Sequence, residues 1–261
     1  MRLGMSTAAY YGRMETEEAG ALLADLPLDC CEVFLQCASE YTAAFGAEVR
    51  RALGGLRVHS IHPTGTQFEG ALFGRSARQR ADALRVFEGV LAAGRALGAG
   101  VYVFHGIPDI HRRGTGPNLQ AIADVAHELC ACARGYGISL AWENVWWCQM
   151  SRPEHAAMVR DAAPEARFVL DIKQALHIGL DPLEFLPVMG DRLVNVHVCD
   201  IDANGALCLP GQGAVDFGAL FCALRAHGYD GPVMLEPYAH LFSEQSEIEA
   251  ALAALRAALQ G

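Results

Sequence analysis

The chain has 261 residues, of which 52% are hydrophobic, and its formal net charge is −10 at pH 7. This length and apolar content suffice for one large domain, and no linker-like or low-complexity stretch divides the chain, so we predict a single domain over residues 1–261. The acidic balance argues against a nucleic-acid partner, because phosphate binding depends on clustered Lys and Arg. No segment approaches the roughly 18 consecutive apolar residues of a membrane span, so we predict no membrane partner.

The nine cysteines are an odd number, and several of them lie within or at the ends of apolar runs. No CxxC pair is present, and the spacing of Cys130 and Cys132 is wrong for structural zinc. We therefore predict buried free thiols in a reducing compartment, and hence a cytoplasmic location.

Strand and helix patterns alternate through the first half of the chain. Thr16 opens a helix with a capping signature, and Pro117 falls near the first turn of another helix, where proline is tolerated. The predicted strands are Arg2–Ser6, Cys31–Gln36, Leu56–His62 and Gly100–Gly106. The predicted helices are Thr16–Leu26, Ala43–Leu53, a long helix from Ser76, and Pro117–Arg134. The third and fourth strands each end in a histidine, His62 and His105 respectively.

The second half contains four apolar runs that each carry a charged or imidazole side chain near the end. These side chains are Glu143, Asp171, His197 and Glu236, at intervals of 28, 26 and 39 residues. Such intervals are about the length of a strand, a helix and their loops. The helices predicted here are Pro153–Ala163, two short pieces after Asp171, one capped by Asp216 that runs to His227, and Glu247–Leu259.

Eight strand–helix units in a chain of this length indicate an α/β fold, the (β/α)₈ or TIM barrel. A doubly wound sheet is the competing fold, but it usually has a glycine-rich first turn, which Met5–Tyr10 lacks. We predict the barrel.

In such barrels the active site lies at the C-terminal ends of the strands, where His62, His105 and the four residues above all fall. Three carboxylates at one mouth repel one another unless a cation neutralises them. We therefore predict one divalent metal ion, held by Glu143, Asp171, His197 and Glu236. An oxygen-rich set favours Mn²⁺, Mg²⁺ or Co²⁺, with Zn²⁺ possible. The alternative is that single members cap neighbouring helices or pair with arginines.

Other residues near these strand ends have two interpretations each. Lys173, the only lysine, either polarises a substrate oxygen from the strand face of Asp171 or lies at the barrel rim. His62 and His105 either orient substrate oxygens or bond to neighbours. Trp146, followed by Trp147, either forms an apolar wall against a substrate or packs a loop. The Pro210–Gly213 loop either binds phosphate through backbone amides or is only a turn.

Five segments of the chain, in order, resemble the xylose-isomerase-like superfamily. More narrowly, they resemble its sugar phosphate isomerase/epimerase group, which includes ketose 3-epimerases and inosose dehydratases. The segments are Trp142–Asn144, Leu170–Gln174, Val196–Asp200, Leu209–Gly213 and Leu235–Pro237. The resemblance implies that residues at positions 143, 171, 197 and 236 bind one divalent metal, and that the two glutamates exchange protons with a sugar.

The chain departs from relatives at Gln174. The abasic-site endonuclease branch, true xylose isomerases and many epimerases have a histidine there, which serves a further metal or touches the substrate. We keep Gln174 as a substrate-binding candidate, together with His62, His105 and Trp146.

The predicted function is a metal-dependent isomerase or epimerase acting on a sugar, sugar phosphate or related polyol through an enediolate, with Glu143, Glu236 and Lys173 as catalytic residues. The substrate is a small carbohydrate, and a homo-oligomer is possible. An inosose-type dehydratase is the first alternative. A metabolite-binding barrel without turnover and an abasic-site endonuclease relative are the others.

Overall fold

The structure is a computed structural model that describes residues 1–109 and 118–261. Eight parallel strands close into a barrel in the order β1, β8, β7, β6, β5, β4, β3, β2, which confirms the predicted TIM barrel. The barrel strands are β1 (Arg2–Ser6), β2 (Cys30–Leu35), β3 (Val58–Pro63), β4 (Val101–Phe104), β5 (Ser139–Glu143), β6 (Arg167–Asp171), β7 (Leu193–Val198) and β8 (Pro232–Leu235). A separate antiparallel hairpin, Asp200–Ile201 with Leu207–Cys208, follows β7.

Helices connect the strands on the outside of the barrel. They are α1 (Thr16–Ala24), α2 (Ala43–Ala52), α3 (Glu69–Leu72), α4 (Ala77–Leu97), α5 (Leu119–Gly135), α6 (Pro153–Ala162), α7 (Ile172–His177), α8 (Leu186–Met189), α9 (Phe217–Ala226) and α10 (Gln245–Gln260). Local signals set several ends. The hydroxyl of Ser76 caps α4 by accepting from the Gln79 amide, and Gly98, with a φ of 78°, ends it in the left-handed region.

Most predicted boundaries lie within about three residues of the observed ones. Two predictions differ. The fourth strand ends at Phe104, so that His105 lies in the following loop, and the strand-like stretch that contained Lys173 is the first turn of α7. The side chain of Asp171 accepts from the Gln174 amide and starts α7 at once, because a carboxylate at a strand end is also a good helix cap. Pro117 lies outside the described residues.

The barrel has two apolar layers. Outward-facing strand residues pack against the helices in one continuous core, which includes Tyr102 and Phe104 of β4. Strand residues alternate between the two faces, and a second small cluster fills part of the barrel interior. We call this cluster the barrel plug; it consists of Val101, Val103, Ala141 and Val169, with Val194 packed against it.

Among the described residues no helix is long and apolar enough to cross a membrane. All nine cysteines are free, in agreement with the prediction of unpaired thiols. Burial differs from the prediction at four of them: Cys37 and Cys222 are exposed, and Cys132 and Cys208 are only half-buried.

Candidate active site

The four predicted metal ligands come together at the C-terminal mouth of the barrel. Glu143 and Asp171 are the last residues of β5 and β6, His197 lies on β7, and Glu236 directly follows β8. All four are at most 6% exposed. One ligand atom from each lies within 4.8 Å of the others, so this set, which we call the acidic cluster, has the proximity that a shared cation requires. Their role as ligands stays a prediction.

His197 is the centre of the acidic cluster. Its Nδ1 lies 3.1 Å from Oε1 of Glu143 and 3.4 Å from Oε2 of Glu236. Burial alone lowers the pKa of His197, but the negative charges of Glu236 and Glu32 outweigh it and raise that pKa well above its ordinary value. The same contacts also change the pKa of the two glutamate carboxyl groups. Burial alone raises their pKa, yet the adjacent histidines hold the pKa of Glu143 and Glu236 well below the usual range.

Lys173 lies in the barrel mouth and is only 6% exposed. Its ammonium group donates to Oδ2 of Asp171 and to Oε2 of Glu236. These carboxylates outweigh burial and raise the pKa of Lys173 well above its usual value. Burial, together with the charges of Glu143 and Glu236, raises the pKa of Asp171 to about 7 despite the neighbouring lysine. The placement in the mouth agrees with the prediction, but Lys173 reaches it from α7 and not from a strand face.

His62 and His105 lie beside Glu143. Their Nε2 atoms are 2.8 Å apart, and Oε2 of Glu143 is 3.0 Å from Nε2 of His105 and 3.8 Å from Nε2 of His62. Among the described residues, buried Oε2 of Glu143 nevertheless has no partner with hydrogen-bond geometry. These three side chains form a second group in which ligand atoms lie within 4.8 Å of one another, next to the acidic cluster.

A cavity of about 190 Å³ opens onto these side chains. Its polar lining includes His62, His105, Glu143, Lys173, Gln174 and Glu236, and its apolar lining includes Tyr11, Phe34, Trp147 and Tyr238. Trp146, the tryptophan predicted to touch the substrate, lines an adjacent cavity of about 310 Å³ that shares Lys173, Gln174 and Tyr238 with the first. Because consecutive loop residues point in different directions, the sequence did not distinguish between the two tryptophans.

Two buried glutamates of this region were missed by the sequence reasoning. Glu32 is on β2 and fully buried; it lies 3.1 Å from Nε2 of His197. Glu69 accepts from the backbone amides of His105 and Gly106, at 2.9 and 3.1 Å, and so holds the loop after β4. A charged residue within the apolar run Cys30–Leu35 was the available signal for Glu32. Glu69, the first residue of the short helix α3, follows no strand-like run and gave no such signal.

The Pro210–Gly213 loop has an internal partner for its amides. Oδ2 of Asp200 accepts from the amides of Gly211 and Gly213, each at 3.1 Å. The turn interpretation of this loop therefore fits the structure better than the phosphate interpretation, because these two donors already bond to a buried carboxylate.

A closed eight-stranded barrel with buried carboxylates and histidines at its C-terminal mouth has the architecture of a TIM-barrel enzyme. The chain belongs to the xylose isomerase-like TIM barrel family, whose profile matches residues 21–258. No curated protein sequence matches it significantly.

Three solved structures show how widely the fold is shared. A D-psicose 3-epimerase from Clostridium cellulolyticum H10, solved with D-tagatose, is 16% identical, with 99% of each chain covered and a TM-score of 0.77. The 3-keto-D-glucoside 4-epimerase YcjR from E. coli is 19% identical, with 100% of each chain covered and a TM-score of 0.74. The IOLI protein with a bound zinc atom is 19% identical, with 99% of this chain and 96% of that chain covered and a TM-score of 0.75.

Proposed function

We propose that this protein is a divalent-metal-dependent isomerase or epimerase that moves a proton on a carbohydrate substrate. The observation that carries the proposal is the convergence of two carboxylates on one imidazole. Glu143 and Glu236 come from β5 and the end of β8, and both approach Nδ1 of His197 at the base of a cavity. An acid–base reaction at carbon needs two such groups within reach of one substrate.

The residues of the acidic cluster fit a divalent ion. Three carboxylates and one imidazole form a hard, oxygen-rich donor set that suits Mn²⁺, Mg²⁺ or Co²⁺ and also admits Zn²⁺. Oε2 of Glu143 is buried and has no hydrogen-bond partner within residues 1–109 and 118–261, which leaves a ligand atom available. When bound, such an ion polarises a substrate carbonyl and an adjacent hydroxyl, and this acidifies the neighbouring C–H bond.

Residues of the chain itself transfer the proton and orient the substrate. Glu143 and Glu236 stay ionised because the histidines beside them lower their pKa, so either carboxylate can accept a proton from carbon. The base keeps the proton that it takes up; if the other glutamate has gained a proton from solvent and donates it to the opposite face, the centre is inverted, whereas return of the abstracted proton to the adjacent carbon gives an isomer. Lys173 supplies a buried positive charge next to Glu236, and His62 and His105 lie where they can orient substrate oxygens.

The cavity and the family support the proposal of a carbohydrate substrate. Tyr11, Phe34 and Trp147 provide flat apolar surfaces of the kind that pack against the C–H face of a sugar, and other lining residues are polar. The psicose epimerase of this fold was solved with D-tagatose, a ketose. We therefore propose a ketose or a related polyol ketone as the substrate.

The test is hydrogen exchange at carbon. The protein, supplied with Mn²⁺, is incubated in D₂O with a panel of ketoses and inososes, and each sugar is analysed by mass spectrometry. We expect deuterium to enter at least one member of the panel. Loss of water from the labelled compound would assign the dehydratase chemistry instead. Tight retention of metal with no exchange on any compound would overturn the proposal in favour of a binding protein.

A further inference from the structure

We propose that Glu32 is a positioning residue that fixes the orientation of His197 toward the metal site. The proposal rests on the proposed function, because it concerns how a metal ligand is held. Glu32 lies on β2 and His197 on β7, and β1 and β8 separate these strands around the barrel. Their contact at 3.1 Å therefore spans the barrel interior.

The carboxylate of Glu32 is surrounded by hydrogen-bond donors. Oε1 lies 3.1 Å from the Ser6 hydroxyl and 3.3 Å from Nδ1 of His62. Oε2 lies 2.7 Å from the Ser60 hydroxyl, 3.1 Å from Nδ2 of Asn195 and 3.1 Å from Nε2 of His197. A fully buried carboxylate with both oxygens engaged in this way is not available to a substrate. Glu32 acts through the side chains that it contacts.

The two nitrogens of His197 face opposite neighbours. Nδ1 faces Glu143 and Glu236, while Nε2 faces Glu32. An ionised carboxylate only accepts hydrogen bonds, so the ring nitrogen next to Glu32 must carry the hydrogen. In the neutral ring the lone pair is then on Nδ1, directed at the other members of the acidic cluster. A ligand histidine whose second nitrogen donates to a carboxylate is held in one orientation and is a better donor to metal.

Asn195 is the neighbour that could impose the opposite arrangement. Its Nδ2 lies 3.1 Å from Nε2 of His197 and could donate to it. In that case Nε2 and Oε2 of Glu32 would be two acceptors 3.1 Å apart with no hydrogen between them. Nδ2 of Asn195 has an alternative acceptor in the same Oε2 of Glu32, also at 3.1 Å. The carboxylate therefore selects the ring form in which Nε2 is protonated.

The test compares Glu32→Gln with Glu40→Gln. Glu40 is also a buried glutamate, bonded to Thr16 and the Gln36 amide, but it lies outside the active site. Zinc affinity is measured by competition with a chromophoric chelator. We expect Glu32→Gln to weaken zinc binding by about 10- to 100-fold, the usual effect of losing such a partner, and Glu40→Gln to leave it unchanged. Equal affinities in the two variants would overturn the proposal.

A second measurement tests the same proposal without a substitution of Glu32. NMR of isotope-labelled histidine in the zinc-loaded natural protein, with His197 assigned by its loss in His197→Ala, reports which ring nitrogen binds zinc. We expect zinc on Nδ1 and hydrogen on Nε2, and the reverse would overturn the proposal. If the natural protein binds no zinc, Mn²⁺ or Co²⁺, the metal site and the proposed function fail together. Normal zinc binding with an unaffected Glu32→Gln variant rejects only the role of Glu32.

Discussion

His59 and His62 lie on the same strand, β3, but near opposite ends of the barrel interior. Nε2 of His59 donates to the backbone carbonyl of Val194 across the barrel, at 3.0 Å, and burial lowers the pKa of His59 to about 4. Burial also acts against a charge on His62, but hydrogen bonds to Glu236 and Glu32 outweigh it and raise the pKa of His62 to about 10. The same residue type therefore stays neutral at one end and charged at the other.

This contrast extends to the two ends of the barrel. The interior next to His59 contains the barrel plug of small aliphatic side chains and is stabilised by packing. The mouth contains buried carboxylates, histidines and a lysine, an arrangement that hydrophobic burial alone disfavours. Catalysis in TIM barrels depends on the C-terminal face, and stability on the other. Substitutions at the two ends should therefore affect different measurements.

The largest expected effect is the loss of metal from the mouth. Asp171→Asn and His197→Ala each remove a charge or a donor from the acidic cluster, so elemental analysis should fall from about one divalent ion per chain to nearly none. His59→Gln, at the other end of the interior, is the control and should keep its metal. Undiminished metal in both mouth variants would show that the acidic cluster is not the metal site.

The next effect concerns the division of labour between the two glutamates. Glu143→Gln and Glu236→Gln preserve size but cannot take up a proton as a carboxylate does, so each should lower conversion by roughly 10²-fold or more. One of them should still exchange substrate hydrogen with D₂O, because the other glutamate remains. Glu40→Gln serves as the control. Conversion at the wild-type rate in both variants would mean that the glutamates are not acid–base groups.

A substitution in the barrel plug is expected to change the stability of the protein and not its metal affinity. Val103→Ala removes two buried carbon atoms from a packed interior and should lower the free energy of unfolding by about 2 kcal/mol. Urea denaturation of the metal-free protein measures this, and metal affinity measured in parallel should stay within a factor of two of wild type. An altered metal affinity without lost stability would contradict the separation of the two ends.

Lys173→Met tests the role of the barrel mouth without replacing a predicted metal ligand. Lys173 donates to Asp171 and Glu236, and its loss should lower turnover by at least about tenfold, because a buried positive charge next to the reacting centre disappears. Metal content should be retained, since a bound ion also neutralises these carboxylates. Turnover within a factor of two of wild type would show that Lys173 has only a structural role.

The smallest expected effect is a pH dependence of stability at the base of the barrel. The pKa of His59 is about 4 when folded and near 6.5 when unfolded, so between these values the unfolded chain binds more protons and stability falls as the pH falls. With a discount for its partial exposure, we expect His59 to lower stability by about 1 kcal/mol between pH 8 and pH 5. His59→Gln should remove that part of the slope in parallel urea denaturations. An unchanged slope would contradict the assignment.

The sequence determined the fold because the relevant signals are local. Alternating strand and helix patterns, caps such as Ser76 and Asp216, and a charged residue at each of several strand ends all act over a few residues. Parallel strands that close into a barrel bring their C-terminal ends to one mouth. The proximity of Glu143, Asp171 and His197 therefore followed from their positions in the chain.

The tertiary structure alone decided the contacts that cross the barrel. Glu32 meets His197 from β2, a strand three positions removed from β7 around the barrel, and a register shift between Cys31 and Glu32 affects how β2 lies against β3. Lys173 reaches Glu236 because Asp171 starts a helix, and Trp147 faces the cavity with Glu143 where Trp146 does not. Such contacts depend on strand register, on closure of the sheet and on side-chain direction. These are set by packing of the whole barrel, and no local pattern encodes them.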